Sequence, residues 1–128
     1  MPNYAQISIL IVEDDKHTRN LIRRMLTQIG VRSITEAEEG QAGYIEVLRT
    51  RPDLVFCDVH MEPVDGRAFL RQVRTSKMPG IAETRVVFLT GDAQRDTVLF
   101  AKEHAINGYL VKPVSPADLK SRIDAALG

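Results

Sequence analysis

Four short apolar runs punctuate the chain: Ile9-Leu10-Ile11-Val12, Leu54-Val55-Phe56-Cys57, Val86-Val87-Phe88-Leu89 and Tyr109-Leu110-Val111. They are too short for helices, apolar at consecutive positions and rich in β-branched side chains, the pattern of strands covered on both faces. A weaker run, Val31 to Thr35, alternates polar and apolar and predicts an edge strand. Between the runs, apolar residues recur at helical spacing. Leu21, Ile22, Met25, Leu26 and Ile29 form one stripe, closed by Gly30 where a helix C-cap belongs. Ala42, Ile45 and Leu48 form a second, Phe69, Leu70 and Val73 a third, and Val98, Ala101 and Ala105 a fourth. Ser115-Pro116-Ala117-Asp118 opens the last helix with a cap, a proline at the first helical position and an acid at the third. Leu119, Ile123 and Ala126 are its buried face. The order is (βα)₅, an α/β class, and right-handed crossovers with short loops fold it into a doubly wound parallel sheet.

The 128 residues, 44% hydrophobic and 27% charged, are enough for one domain with a core of its own, residues 7–127 being its expected ordered part. No run is long and apolar enough for a bilayer span, and Met1 to Gln6 offer neither a basic region nor an apolar one for a secretory signal. The lone cysteine, Cys57, excludes an internal disulfide framework and fits a reducing, cytoplasmic setting. Seventeen basic and seventeen acidic residues give zero net charge, which argues against direct nucleic-acid binding through a basic surface. There is no internal repeat or linker. The helical pattern runs to the last residue, Gly128, so no output domain is expected within these 128 residues.

In open α/β sheets ligands bind beyond the carboxyl ends of the strands. Glu13, Asp14 and Asp15 follow the first run, Asp58 ends the third strand, Thr90 the fourth, and Lys112-Pro113 the fifth. Each well-defined strand thus delivers a polar group to one edge. Two like charges ~4 Å apart repel by about 4 kcal/mol at an effective dielectric near 20. A crevice that gathers Glu13, Asp14 and Asp58 therefore raises a pKa or takes a hard cation, Mg²⁺ or Ca²⁺, with Mg²⁺ favoured where a phosphate must share the site. A cation, a lysine and a hydroxyl around a carboxylate suit a phosphoryl group carried on that carboxylate.

These residues strongly resemble the receiver domain of two-component response regulators, typified by the bacterial chemotaxis regulator. The resemblance covers essentially the whole chain. It rests on Ile9-Leu10-Ile11-Val12-Glu13-Asp14, on Asp58 with Asp65-Gly66 at the family spacing, on Thr90-Gly91 and on Gly108-Tyr109-Leu110-Val111-Lys112-Pro113. It implies a flavodoxin-like, CheY-like five-stranded sheet in the order 2-1-3-4-5. It further implies that Asp58 is the phosphoacceptor, that Asp14 ligates Mg²⁺ directly and Glu13 directly or through water, together with Asp58 and the backbone carbonyl of His60, and that Thr90, Gly91 and Lys112 hold the phosphoryl group. Thr90 and Tyr109 would form the switch, and the Lys112-Pro113 bond would be cis. The implied partners are a sensor histidine kinase or histidine phosphotransfer protein as donor, and a downstream target on the face of the fourth helix, fifth strand and fifth helix, where Phe100 and Tyr109 are candidate contacts. No membrane is implied, and the domain would act as a monomer or a phosphorylation-linked dimer, catalysing only its own phosphorylation and dephosphorylation.

Three positions depart from the family's commonest pattern. Proline follows one place late in Met61-Glu62-Pro63, and His60 and Asp92 stand two residues beyond Asp58 and Thr90. Both side chains would flank a hydrolytic water and tune the lifetime of the acyl phosphate. Taken singly, the residues have plainer readings. Asp15 is the cap of the first helix, Cys57 a small buried residue, and His17 and His104 chemically idle. Arg19, Arg23 and Arg24, like Arg67, Arg71 and Arg74, read as solvated faces, the first three offering a place for a kinase to dock. Competing functions are a phosphatase of the haloacid-dehalogenase type, a flavodoxin-like electron carrier and a docking module that has lost phosphorylation. The first wants an aspartate where His60 stands; the second would set Glu13-Asp14-Asp15 against a flavin phosphate.

Overall fold

The computed structural model describes residues 2–91 and 95–128. Among the described residues, a short 3₁₀ turn, Tyr4–Gln6, precedes five strands and five helices in strict alternation. These are β1 (Ser8–Val12), α1 (Lys16–Ile29), β2 (Ser33–Ala37), α2 (Gly40–Thr50), β3 (Leu54–Asp58), α3 (Gly66–Arg74), β4 (Val86–Thr90), α4 (Arg95–Glu103), β5 (Tyr109–Val111) and α5 (Pro116–Leu127). The sheet is parallel throughout, in the order β2-β1-β3-β4-β5.

The consecutive apolar positions of the central strands are explained by two cores. Leu10, Val12, Val55, Cys57, Val86 and Phe88 face one side, where α2, α3 and α4 bring Val47, Phe69, Leu70, Val73 and Phe100. Ile9, Ile11, Leu54, Phe56, Val87 and Leu89 face the other, against Ile22 and Leu26 of α1 and Leu119 and Ile123 of α5. Period-two alternation within an all-apolar run thus feeds both layers.

Helix boundaries follow local chemistry. Asp15 caps α1 by accepting from the Thr18 N–H at 3.1 Å, and Gly30 ends it in the left-handed region at φ 118°. The Val31 N–H reaches back to the Leu26 carbonyl at 3.0 Å, a Schellman-type closure in which buried Val31 is the apolar plug. Val31 therefore belongs to the cap of α1, and β2 starts two residues later than the alternation Val31–Thr35 predicts. In α5, Ser115 and Asp118 exchange side-chain and backbone hydrogen bonds in a capping box.

Two predicted stripes are shifted. In α2 the buried residues are Gly40, Gly43 and Val47, while Ile45 is 52% exposed. Gly43 lets the helix approach the sheet so closely that a Cβ there would stand 3.0 Å from Val12 and 3.1 Å from Phe69. In α4 the buried face is Thr97, Phe100 and Ala101. Ala105 lies beyond the helix at φ 53° and is exposed, so the helix ends before it.

The arginines are less solvated than their spacing suggests. Arg74 donates to the carbonyl oxygens of His104, Ala82, Thr84 and Ala105 and to Asn107 Oδ1, tying the end of α4 to the α3–β4 loop. Arg67 and Arg71 lie 4.6 and 5.2 Å from the centre of the Phe100 ring, and His104 stacks on the same ring. Phe100, a candidate contact for a target, is 7% exposed and serves instead as packing between α3 and α4. Arg19 is buried, Arg23 is paired with Glu36, and Arg24 alone of that trio is exposed.

Glu36 supplies a pH prediction. Burial pushes its carboxyl up, but hydrogen bonds and charge from Arg23 and Arg19 outweigh this and hold it below its usual 4.5. A carboxylate depressed in the folded state adds stability that is present above the unfolded value and lost as pH falls through the folded one. Glu36→Gln is therefore expected to flatten the loss of stability below about pH 4.5. Urea midpoints of both proteins at pH 7, 5, 4 and 3 check this, and parallel curves would refute it.

Candidate functional site

Strand register assembles the site. Val12 pairs with Cys57 and Thr90 with Val111, so the next residues, Glu13, Asp58 and Lys112, emerge at one edge beside the end of β4. Oxygens of Glu13, Asp14 and Asp58 all lie within 4.8 Å of one another. Glu13 is fully buried and Asp58 nearly so, whereas Asp14 is exposed. Asp15, predicted to be a cap, lends its side chain to that role while its N–H donates to Glu13 Oε2 at 3.2 Å.

Lys112 Nζ joins the two buried carboxylates. It donates to Glu13 Oε1 at 2.7 Å and stands 3.3 Å from Asp58 Oδ1. Its shorter contact is thus with Glu13. Desolvation works to lower the Lys112 pKa, but the Glu13 hydrogen bond and the charges of Asp58 and Glu13 carry it above 10.5, so the ammonium stays charged. Partial burial, then the adjoining Glu13 carboxylate, pushes the Asp14 carboxyl up from 3.8. The part that comes from Glu13 is one that a cation would relieve.

The other predicted groups surround this core. Thr90 ends β4, is 3% exposed, and its carbonyl accepts from the Lys112 N–H at 2.7 Å. Gly91 follows at the surface, and a Cβ there would meet nothing within 4 Å. His60 is exposed and borders an open depression shared with Asp14, Glu62 and Asp65. Tyr109 is half-buried against the α3–α4 side of the core. Asp92 lies outside the described residues. The Lys112-Pro113 bond is cis, and so is Glu62-Pro63, which no pattern in the chain foretells. Asp65 caps α3 by accepting from the Ala68 N–H at 2.9 Å, and Gly66 packs directly under the Asp58 carbonyl.

Sequence reasoning missed Arg19, whose Nη1 donates to the Glu13 carbonyl oxygen at 2.8 Å. A signal for it existed: Arg19 stands three and seven residues before Ile22 and Leu26, on the buried stripe of α1.

The donor set suits a hard dication: three carboxylates, two of them buried, converge from β1 and β3, with no sulfur or imidazole ligand in the cluster. Compared with known proteins, residues 9–124 match the model of the response regulator receiver domain. The chain belongs to that family. Over 124 residues it is 34% identical to a protein of Rhizobium etli named "Probable chemotaxis protein CheY", covering 96% of this chain and 94% of that one. Among solved structures, the signal receiver domain of a signal transduction histidine kinase from Syntrophus aciditrophicus superimposes with a TM-score of 0.83. That pair is 26% identical and covers 94% of this chain and 89% of the other. The chemotaxis protein CheY4 of Vibrio cholerae, at 24% identity, shares the fold with a TM-score of 0.85 over 94% of this chain and 98% of its own. Receiver domains of this kind are parts of two-component signalling and not classical enzymes. Among the described residues, no helix is long and apolar enough to cross a membrane.

Proposed function

We propose that Asp58 is the phosphoacceptor of this receiver domain. The observation that carries the reading is the placement of Lys112 between two buried carboxylates, with Asp14 alongside and Thr90 at the adjoining strand end. An Asp58 carboxylate oxygen attacks the phosphorus of a phosphohistidine. The P–N bond breaks, the imidazole nitrogen leaves and takes a proton, and an acyl phosphate remains on Asp58. Glu13, Asp14, Asp58 and the His60 carbonyl would hold Mg²⁺, which supplies a dication to offset the charge of the phosphoryl oxygens. The Lys112 ammonium neutralises charge on the transferred group, and the Thr90 hydroxyl and Gly91 N–H hold its oxygens.

The donor is a histidine kinase or histidine phosphotransfer protein. A groove of about 300 Å³ lined by Leu21, Met25, Pro113 and Val114 reaches Lys112 and offers it a seat. The readout face is α4, β5 and α5, where Leu99 is 48% and Val111 53% exposed. The domain works in the cytoplasm, where its lone thiol stays reduced. The side chains of His60 and Asp92 set how fast water removes the phosphoryl group.

Intact-mass spectrometry after incubation with acetyl phosphate and Mg²⁺ tests the assignment. One phosphoryl group is expected on the native chain and none on Asp58→Asn or without metal. An adduct that survives Asp58→Asn, or none on the native chain at short quench times, would overturn it.

A further inference from the structure

Arg19 carries a full charge into the interior, its side chain only 10% exposed. Its Nε donates to Glu36 Oε1 at 2.8 Å while its Nη1 donates to the Glu13 carbonyl oxygen at the same distance. The other Glu36 oxygen is taken by Arg23 Nε at 2.6 Å, so Glu36 is itself fixed from two sides. Glu38 adds a second, looser carboxylate 3.8 Å from Arg19 Nη2. Glu13 is consequently engaged at every polar group. Its N–H donates to the Ala37 carbonyl at 3.0 Å, its carbonyl accepts from Arg19, Oε2 accepts from the Asp15 N–H at 3.2 Å, and Oε1 accepts from Lys112 at 2.7 Å.

We infer that Arg19 is a positioning residue for divalent-cation binding, acting through the main chain of Glu13. The inference rests on the reading of Glu13, Asp14 and Asp58 as a cation pocket. Glu13 and Asp14 sit at the turn from β1 into α1, where the strand ladder has ended and nothing regular fixes the peptide plane between them. Their charges repel each other, and Asp58 adds to the repulsion. The guanidinium holds that peptide plane by its oxygen and anchors it to Glu36 on β2. A planar fork makes the two contacts from two nitrogens held in a fixed geometry, which a single ammonium nitrogen does not supply. Burying a cation with its partners is seldom the most stable way to fill such a space, and an apolar side chain would often serve the fold as well. The retained charge is accounted for by what it holds in place.

This role has a sign that a purely electrostatic one lacks. Removing a positive charge near an acidic pocket should by itself tighten cation binding. Removing a group that orients a ligand residue should loosen it, and outer-shell partners of metal ligands typically cost ~10–100-fold in affinity when lost. Isothermal titration of the full chain with MgCl₂ decides between them, with far-UV circular dichroism to verify folding. Arg19→Gln is expected to bind Mg²⁺ about tenfold more weakly than the native chain. Arg19→Lys keeps the charge but not the fork, and is expected to bind more weakly as well. Arg24→Gln removes an exposed charge of the same helix without touching Glu13 or Glu36 and is expected to bind as the native chain does. Unchanged or tighter binding in both Arg19 variants overturns the inference. Should Arg19→Gln fail to fold, Arg19→Lys alone decides the matter in the same way. If the native chain itself takes up no Mg²⁺, the pocket reading fails first and the inference falls with it; native binding with indifferent Arg19 variants overturns only the role of Arg19.

Discussion

Lys112→Met is expected to destabilise the metal-free domain by about 3 kcal/mol, the cost of leaving a buried carboxylate without its partner. Glu13 is fully buried and its Oε1 has Lys112 as its hydrogen-bond donor at 2.7 Å. Methionine fills similar volume but leaves Glu13 and Asp58 facing each other without a cation between them. The figure sits at the low end of the range for broken buried pairs because Lys112 is itself 27% exposed and water reaches its head group. A cation that binds the folded state alone stabilises it by mass action, and the variant's pocket is more negative by one charge. Mg²⁺ at millimolar concentration should therefore restore more stability to Lys112→Met than it adds to the native chain. Urea unfolding of both proteins, in chelator and in Mg²⁺, measures all four values. Equal stability of the two proteins in chelator would show that the ion pair does not hold Glu13 in the core.

Gly66→Ala is expected to be as damaging, for a different reason. A Cβ at Gly66 would stand 2.3 Å from the Asp58 carbonyl oxygen and 2.9 Å from the Val59 Cα. Both are main-chain atoms, so no rotamer change can relieve the clash, and the Gly66 N–H is already committed to the Val59 carbonyl at 2.9 Å. Overpacking typically costs 1–3 kcal/mol, and a collision with backbone belongs at about 3 kcal/mol or above. The strain falls on the peptide that carries Asp58, so phosphoryl labelling should drop even in the fraction that remains folded. Gly91→Ala is the matched control, since a Cβ there meets nothing within 4 Å. Chemical denaturation should move the Gly66→Ala midpoint far more than the Gly91→Ala midpoint, with unchanged slope. A Gly66→Ala protein within about 1 kcal/mol of native would contradict the account.

The central strands were legible because burial on both faces leaves no polar position between their ends; the order of the elements and the edge where the polar groups collect followed from that. Asp58, Thr90 and Lys112 could be read because they stand where apolar runs stop, a signal that spacing alone carries. Three kinds of feature resisted. Val31 reads as strand because it is apolar and precedes an alternating segment, yet it plugs a helix cap, and a cap shares its composition with a strand start. Ile45 fits a helical stripe in α2, but Gly43 brings the opposite side of the helix down on the sheet. The roles of Arg19 and Arg74 depend on which carbonyl oxygens the fold leaves exposed nearby, and no sequence periodicity records that. The preference of Lys112 for Glu13 over Asp58 is likewise a matter of side-chain reach, set by a glutamate one methylene longer than aspartate.

The chain's single thiol is placed where chemistry cannot reach it while the sheet is closed. Cys57 lies wholly buried in the middle strand, one residue before Asp58, and burial together with the carboxylates around it pushes its pKa well above 9.0. A thiol that is both shielded and protonated does not react with alkylating reagents. Its rate of modification therefore counts the occasions on which the strand bearing Asp58 comes apart, so the protein carries a stopwatch for its own opening, read without any engineered label.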